Sequence, residues 1–97
     1  MRVVIDGRCV LDEAELHRRL AGALGYGPGY QPGLDALHER LVAGDPRPVE
    51  LTCINASALR MALGIARFER FVALLESVEA MDAGKDWSER FVIRLID

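Results

Sequence analysis

The chain has 97 residues, of which 51% are hydrophobic and 28% charged. This is enough apolar material for a folded core but too little length for two, so we expect a single domain over residues 1–97. Lys and Arg number 12 and Asp and Glu 15, for a net charge of −3, which disfavours direct binding to nucleic acid.

Short apolar runs and few cysteines indicate a cytoplasmic protein. The run Val3-Val4-Ile5 follows one arginine, whereas a spanning helix needs about 20 apolar residues and a signal-peptide core about 7 to 15. We therefore expect no membrane interaction. Cys9 and Cys53 lack metal or redox spacing and are expected to be reduced, buried thiols, with a disulfide or a reactive thiol as the alternative.

Three apolar runs predict strands, at residues 2–5, 49–54 and 91–96. The turn dipeptide Asp6-Gly7 ends the first, and Cys9-Val10-Leu11 is a candidate extension of it past the turn. The connections between the strands contain helices, and antiparallel neighbours would need only tight turns. We expect an α/β fold with a small three-stranded parallel sheet and about four helices. The strand order is left open.

The first two helices have clear boundaries. Asp12 and Glu15 form the pattern of a capping box, and the apolar periodicity that follows ends at Gly25. The second helix carries leucines at 34, 37 and 41 on one face and ends around Ala43-Gly44.

Two further helices are predicted between the second and third strands. Asn55 and Ser57 are N-cap candidates for a short helix through Met61, ahead of a stop at the next glycine. Asn55-Ala56-Ser57 also matches an N-glycosylation acceptor, but that interpretation requires secretion, and the cap is favoured. A longer helix follows from Ile65 to about Met81, and residues 82–88 are expected to be loop.

The segment of residues 25–33 joins the first two helices and is rich in glycine and proline. Regular structure is excluded there, but Tyr26 and Tyr30 give the loop side chains to pack or to present. Its glycines do not match a dinucleotide fingerprint, because the spacing is wrong and the loop follows a helix instead of a strand.

Recognised catalytic and metal-binding motifs are missing from the sequence. Zinc spacings, a phosphate-binding loop and a nucleophile elbow do not occur. His17 and His38 have no nucleophile pattern near them and are expected to be surface or edge-packed histidines. We expect neither a cofactor nor a metal, and no enzyme activity.

The net charge of −3 lies on the second and fourth helices, since the other segments balance. Asp35 and Glu39 are four residues apart and share a helix face away from Leu37 and Leu41. Neither has a Lys or Arg at helical spacing. Two interpretations follow: a solvated acidic face, or a carboxylate ridge that binds arginines of another molecule.

Several separated segments resemble the barstar family of intracellular ribonuclease inhibitors. They are Val4-Ile5-Asp6-Gly7, Leu16-His17 and above all Tyr30-Gln31-Pro32-Gly33-Leu34-Asp35-Ala36-Leu37. The resemblance implies a parallel three-stranded sheet packed with helices. It also implies a 1:1 complex in which helix two and the preceding loop block the cationic active site of a secreted guanyl-specific microbial ribonuclease.

By position, the resemblance implies that Asp35 pairs with arginine near the enzyme's guanine-binding loop and that Glu39 occupies the scissile-phosphate site. Glu76 would be a third acid. The implied partner-binding residues are Tyr30, Gly33, Leu34, Asp35, His38, Glu39 and Glu76.

Departures from the family pattern fall in the same region. Gly29 and His38 stand where aromatics are usual, Glu39 where Asp is usual, and Gln31-Pro32 where glycine and an acid are usual. These departures predict that the surface in contact with the partner differs from the one usual in the family. The alternatives are therefore a barstar-like binding module for a different basic protein and, less favoured, a small enzyme centred on His38 or a cysteine.

Overall fold

Three parallel strands form the sheet of this computed structural model, which describes residues 1–27, 29–44 and 46–97. They are β1 (Arg2–Asp6), β2 (Val49–Ile54) and β3 (Phe91–Ile96). The order is β1-β2-β3, so the middle strand pairs with both neighbours, Val3 aligning with Leu51 and Leu51 with Ile93. The predicted parallel sheet is confirmed, with β2 as its central strand.

The helices follow the predicted order: α1 (Glu13–Leu24), α2 (Leu34–Ala43), α3 (Ala56–Leu63) and α4 (Ile65–Asp82). Short 3-10 turns cover Gly7–Cys9 and Trp87–Glu89. The predicted α/β architecture with four helices is confirmed. No helix in the described ranges combines the length and apolarity that crossing a membrane would require.

The capping residues of α1 act as predicted. The Asp12 carboxylate accepts from the N–H of Glu15 (2.9 Å), and Glu15 reaches back to the N–H of Leu11 (3.4 Å). Gly25 ends the helix at φ 75°, a left-handed conformation that costs glycine little. These local contacts explain why both boundaries of α1 can be predicted from sequence.

One face of the sheet is buried and the other is open. Alternate strand residues, among them Val3, Leu51 and Phe91, pack under the helices. On the open face Glu50 lies 3.8 Å from both Arg2 and Arg94. Parallel sheets are usually covered on both faces, and this charged row keeps the uncovered one compatible with water.

The proposed extension of β1 was wrong, because Gly7–Cys9 turns into a 3-10 helix that lies against α3. A Cβ on Gly7 would overlap the backbones of Asn55 and Leu59. This approach bends the chain away from the sheet, and a sequence pattern of apolar residues does not reveal it.

The prediction that Asn55 precedes the first turn of α3 was correct, but the prediction that its side chain caps the helix was wrong. Asn55 is the N-cap residue at φ 52°, but its side chain makes no cap hydrogen bond. Its amide donates instead to Asp6 Oδ1 (2.9 Å). Ser57 lies inside α3, which extends to Leu63, and its N–H donates to the Asp97 carboxylate (2.6 Å).

The segment predicted as loop from residue 82 begins with a buried residue. Asp82 is the last residue of α4 and is only 3% exposed. Its carboxylate accepts from Arg47 Nε (2.9 Å) and from the N–H of Phe91 (2.8 Å), while Lys85 Nζ lies at 3.2 Å. The prediction was wrong for Asp82 itself, because Arg47 and the N–H of Phe91, 35 and 9 positions away, hold its carboxylate in the interior.

The two cysteines are free and differ in environment, so the prediction of two buried thiols was wrong for Cys9. Cys53 is buried in the core, where desolvation raises the pKa of its thiol to about 11. Because the thiolate is the reactive form, we expect one fast and one slow thiol with Ellman's reagent under native conditions. Cys9→Ser should remove the fast phase, and fast reaction of Cys53 in the folded protein would contradict the buried position.

Candidate functional site

Helix α2 presents two acids because its opposite side is buried. Leu37 and Leu41 are almost fully buried in the core, whereas Asp35 and Glu39 are exposed. The helix begins after Gly33, whose carbonyl accepts from the N–H of Leu37 (3.0 Å), and it packs against α4. Helical periodicity therefore directs both carboxylates into solvent, and we call Asp35 and Glu39 the acidic face.

The acidic face is not neutralised within the part of the chain that the structure describes. No ion pair there includes Asp35 or Glu39. Along the helix axis the two residues are separated by about 6 Å, since each residue rises 1.5 Å. The result is a pair of solvent-facing carboxylates on a rigid element.

The remaining predicted residues of this region surround the acidic face. His38 is exposed on α2, directly before Glu39. Gly33 and Leu34 are half-buried at the start of the helix, where Leu34 packs against the edge of the core. Gly33 and Leu34 therefore lie at the end of α2 that carries Asp35 and follows the loop with Tyr30, whereas His38 lies in the middle of the helix.

The loop of residues 25–33, which we call the tyrosine loop, is packed through its two aromatic rings; Pro28 lies outside the described residues. Tyr26 is 6% exposed and Tyr30 is half-buried, and their ring centroids are 5.1 Å apart. Burial raises the pKa of Tyr26 to about 12 and also raises that of Tyr30. Both rings are thus neutral packing groups at physiological pH.

His17 is buried beneath this loop, so the prediction of a surface or edge-packed histidine was wrong. It is 2% exposed on α1, with Nδ1 3.5 Å from the Tyr30 hydroxyl and Nε2 3.5 Å from Glu13 Oε1. The position follows from the same helical face that buries Leu16 and Leu20. His17 therefore lies between α1 and the tyrosine loop; His38 is exposed.

Arg40 is the residue that sequence reasoning missed. Its guanidinium carbon lies 5.1 Å from the centre of the Tyr26 ring, and Nη2 donates to the Tyr26 carbonyl (3.3 Å). Arginine over an aromatic face is a favourable cation–π arrangement. The partners are 14 positions apart in the sequence, and no helical or strand spacing links them, so the sequence contains no signal for this contact.

Glu76 lies on α4, whereas the acidic face lies on α2. It is exposed on α4 and lines a groove of about 560 Å³ at the outer edge of β3. The lining residues come from α4, β3 and the residues between them, and none comes from α2 or the tyrosine loop: Glu76, Glu79, Ala80, Ala83, Arg90, Phe91 and Val92. The structure groups the other six predicted residues around α2 and places Glu76 beside β3.

The described residues offer no cluster of three His, Cys, Asp or Glu side chains placed to hold a metal ion. Around α2 the structure places two exposed carboxylates beside a loop packed through its aromatic rings, on a helix whose leucines are held in the core. What such a surface can do chemically is accept hydrogen bonds and ion pairs from a cationic partner.

Comparison with protein families gives a match that covers nearly the whole chain. The model of the family described as Barstar (barnase inhibitor) matches residues 1–95. No curated protein matches the chain.

Proposed function

Because the chain belongs to the barstar family, we propose that it inhibits a secreted guanyl-specific microbial ribonuclease by forming a 1:1 complex. The observation that carries the proposal is the acidic face. Two exposed carboxylates that form no ion pair among the described residues, on a helix held by the core, suit the site of an enzyme that must bind RNA. A ribonuclease active site is cationic because its substrate is a polyanion.

The proposed mechanism is mimicry of the substrate's charge. Asp35 would pair with arginine near the guanine-binding loop, and Glu39 would occupy the position of the scissile phosphate. Charge-assisted hydrogen bonds to arginine are short and directional, so carboxylates held on a rigid helix bind such groups efficiently. The complex excludes RNA because the same cationic groups cannot bind both ligands.

The residues around the acidic face are proposed to complete the contact. Gly33 and Leu34 would supply close backbone and apolar contact, His38 would lie at the centre of the helix surface, and Tyr30 would support the loop. Glu76, which lies on α4 beside the groove at β3, is proposed as a third acid for the partner.

The proposed role is one of binding and not of catalysis, with neither cofactor nor metal. We also propose that the protein acts in the cytoplasm. A cell that secretes a ribonuclease must protect its own RNA before export, and a cytoplasmic inhibitor provides that protection. The family is one of inhibitors, in agreement with this role.

The test is a titration of this protein into barnase, the ribonuclease named in the family's description, while RNA cleavage is followed. Stoichiometric loss of cleavage is expected. Added NaCl is expected to slow association several-fold while changing dissociation less, because screening acts mainly on charge-steered encounter. An association rate that does not depend on salt would contradict the electrostatic mechanism.

The alternative is a barstar-like module for a different basic protein. The observation that favours it is the set of departures at the contact surface, above all Gly29, His38 and Glu39. A panel of small guanyl-specific ribonucleases distinguishes the two proposals. Inhibition of one member supports the inhibitor, whereas tight binding to a basic protein without ribonuclease activity, and to no ribonuclease, supports the module.

A further inference from the structure

We propose that Arg40 is a positioning residue, which holds the tyrosine loop in its binding conformation and keeps its own charge away from the acidic face. The inference rests on the proposed inhibitory function and identifies how that same surface is prepared for its partner. Arg40 itself is not proposed to contact the ribonuclease.

The Arg40 side chain is directed toward the tyrosine loop. It leaves α2 one residue after Glu39, yet its guanidinium lies over Tyr26 and donates to the Tyr26 carbonyl. Among the ion pairs of the described residues, none includes Arg40. The cation next to the acidic face thus contacts the loop, and within the described part of the chain neither carboxylate forms an ion pair.

A continuous series of contacts runs from Arg40 through the tyrosine loop to His17. Arg40 lies over Tyr26, the rings of Tyr26 and Tyr30 are 5.1 Å apart, and the Tyr30 hydroxyl is 3.5 Å from buried His17. These contacts connect α2 to α1 across the tyrosine loop. Arg40 is the exposed end of this series, since Tyr26 and His17 are buried.

Ordering the tyrosine loop before binding lowers the conformational entropy that is lost when the complex forms. The loop contains several glycines and would otherwise sample many conformations, all but one of which are lost when a partner binds. A loop that is already ordered in the free protein avoids that cost, so its contacts with the partner are retained longer. Within one interface, such changes appear mainly in the dissociation rate.

The experiment compares Arg40→Lys with the wild-type protein in binding to barnase. Lysine keeps the charge but loses the planar group that lies over Tyr26 and donates to its carbonyl. The dissociation rate is expected to rise about fivefold with little change in the association rate. Arg40→Met should also dissociate faster, but it should associate faster than Arg40→Lys because the surface becomes more acidic.

Arg18 provides the matched control. It is exposed on α1, and no hydrogen bond or ion pair of the described residues includes its side chain. Arg18→Lys and Arg18→Met make the same chemical changes at a side chain that, within the described residues, has no hydrogen bond or cation–π contact with the tyrosine loop. They are expected to leave the dissociation rate unchanged. A fivefold effect in these controls as well would overturn the specific role of Arg40.

Hydrogen exchange of the free protein tests the same proposal without a partner. The N–H of Tyr30 donates to the Gly27 carbonyl (3.3 Å), and its exchange is expected to become several-fold faster in Arg40→Lys while amides of the sheet are unaffected. Unchanged exchange would overturn the proposal, as would faster exchange with an unchanged dissociation rate. Failure of the wild-type protein to bind barnase or any other member of the panel of guanyl-specific ribonucleases would instead reject the proposed function, and exchange would then decide whether Arg40 orders the loop.

Discussion

Replacing both Asp35 and Glu39 with alanine is expected to abolish inhibition of barnase while leaving the protein folded. Removing one partner of a desolvated charge pair costs about 2–5 kcal/mol, a range measured on protein–protein interfaces, the namesake complex of this family among them. Each single variant should therefore weaken binding at least about thirtyfold, and the double variant more. Both side chains are exposed, so the free energy of unfolding should change by about 0.5 kcal/mol or less.

The measurements are the inhibition constant from RNA cleavage and the free energy of unfolding from urea titration. Glu69→Ala/Asp86→Ala is the control, because it removes the same charge at two exposed sites outside α2. Equal loss of affinity in the control would show that net charge, and not the acidic face, determines binding. Loss of folding in the Asp35→Ala/Glu39→Ala variant would contradict the assignment of these residues to the interface.

The second large effect is expected from Asp82→Ala, which should destabilise the fold by about 3–5 kcal/mol. Asp82 and Arg47 are both nearly buried, and Arg47 also donates to the carbonyls of Leu41 and Pro46. Loss of the carboxylate leaves the guanidinium without its partner and the N–H of Phe91 without an acceptor. Because small proteins are stable by only about 5–15 kcal/mol, the effect is a large fraction of the total.

Urea unfolding measures this effect, and Asp86→Ala, an exposed acid in the following turn, is the control and should stay near the wild-type value. Asp82→Asn is a milder variant that keeps an acceptor for the Phe91 N–H. A change below about 1 kcal/mol in Asp82→Ala would show that the ion pair contributes little.

The same residue makes stability depend on pH. Burial by itself would raise the pKa of Asp82, but hydrogen bonds from Lys85, the Phe91 N–H and Arg47 outweigh it and lower the pKa below its usual value. Stability from this group is therefore present above the unfolded-state pKa of about 3.9 and is lost as the pH falls through the folded-state value. Asp82→Asn should lose less stability than the wild-type protein below about pH 4.

Local features of the site could be predicted from sequence. The leucines of α2 repeat at helical spacing, so Asp35 and Glu39 had to lie on the opposite, exposed side once the helix formed. Helix-containing connections predicted parallel strands, and capping residues predicted both ends of α1. The exposed side of α2 and the ends of α1 depend on residues a few positions apart, for which geometry follows directly from backbone periodicity. The parallel strand direction follows instead from the helix-containing connections.

Contacts between distant segments were decided by the tertiary structure. Packing of α1 under the tyrosine loop buried His17, and close approach of Gly7 to α3 turned the chain away from the sheet. The Arg40–Tyr26 and Arg47–Asp82 contacts join residues separated by 14 and 35 positions. Sequence alone thus determined which side of α2 is acidic, while long-range packing determined what holds that surface and its loop in place, because only the folded chain brings those partners together.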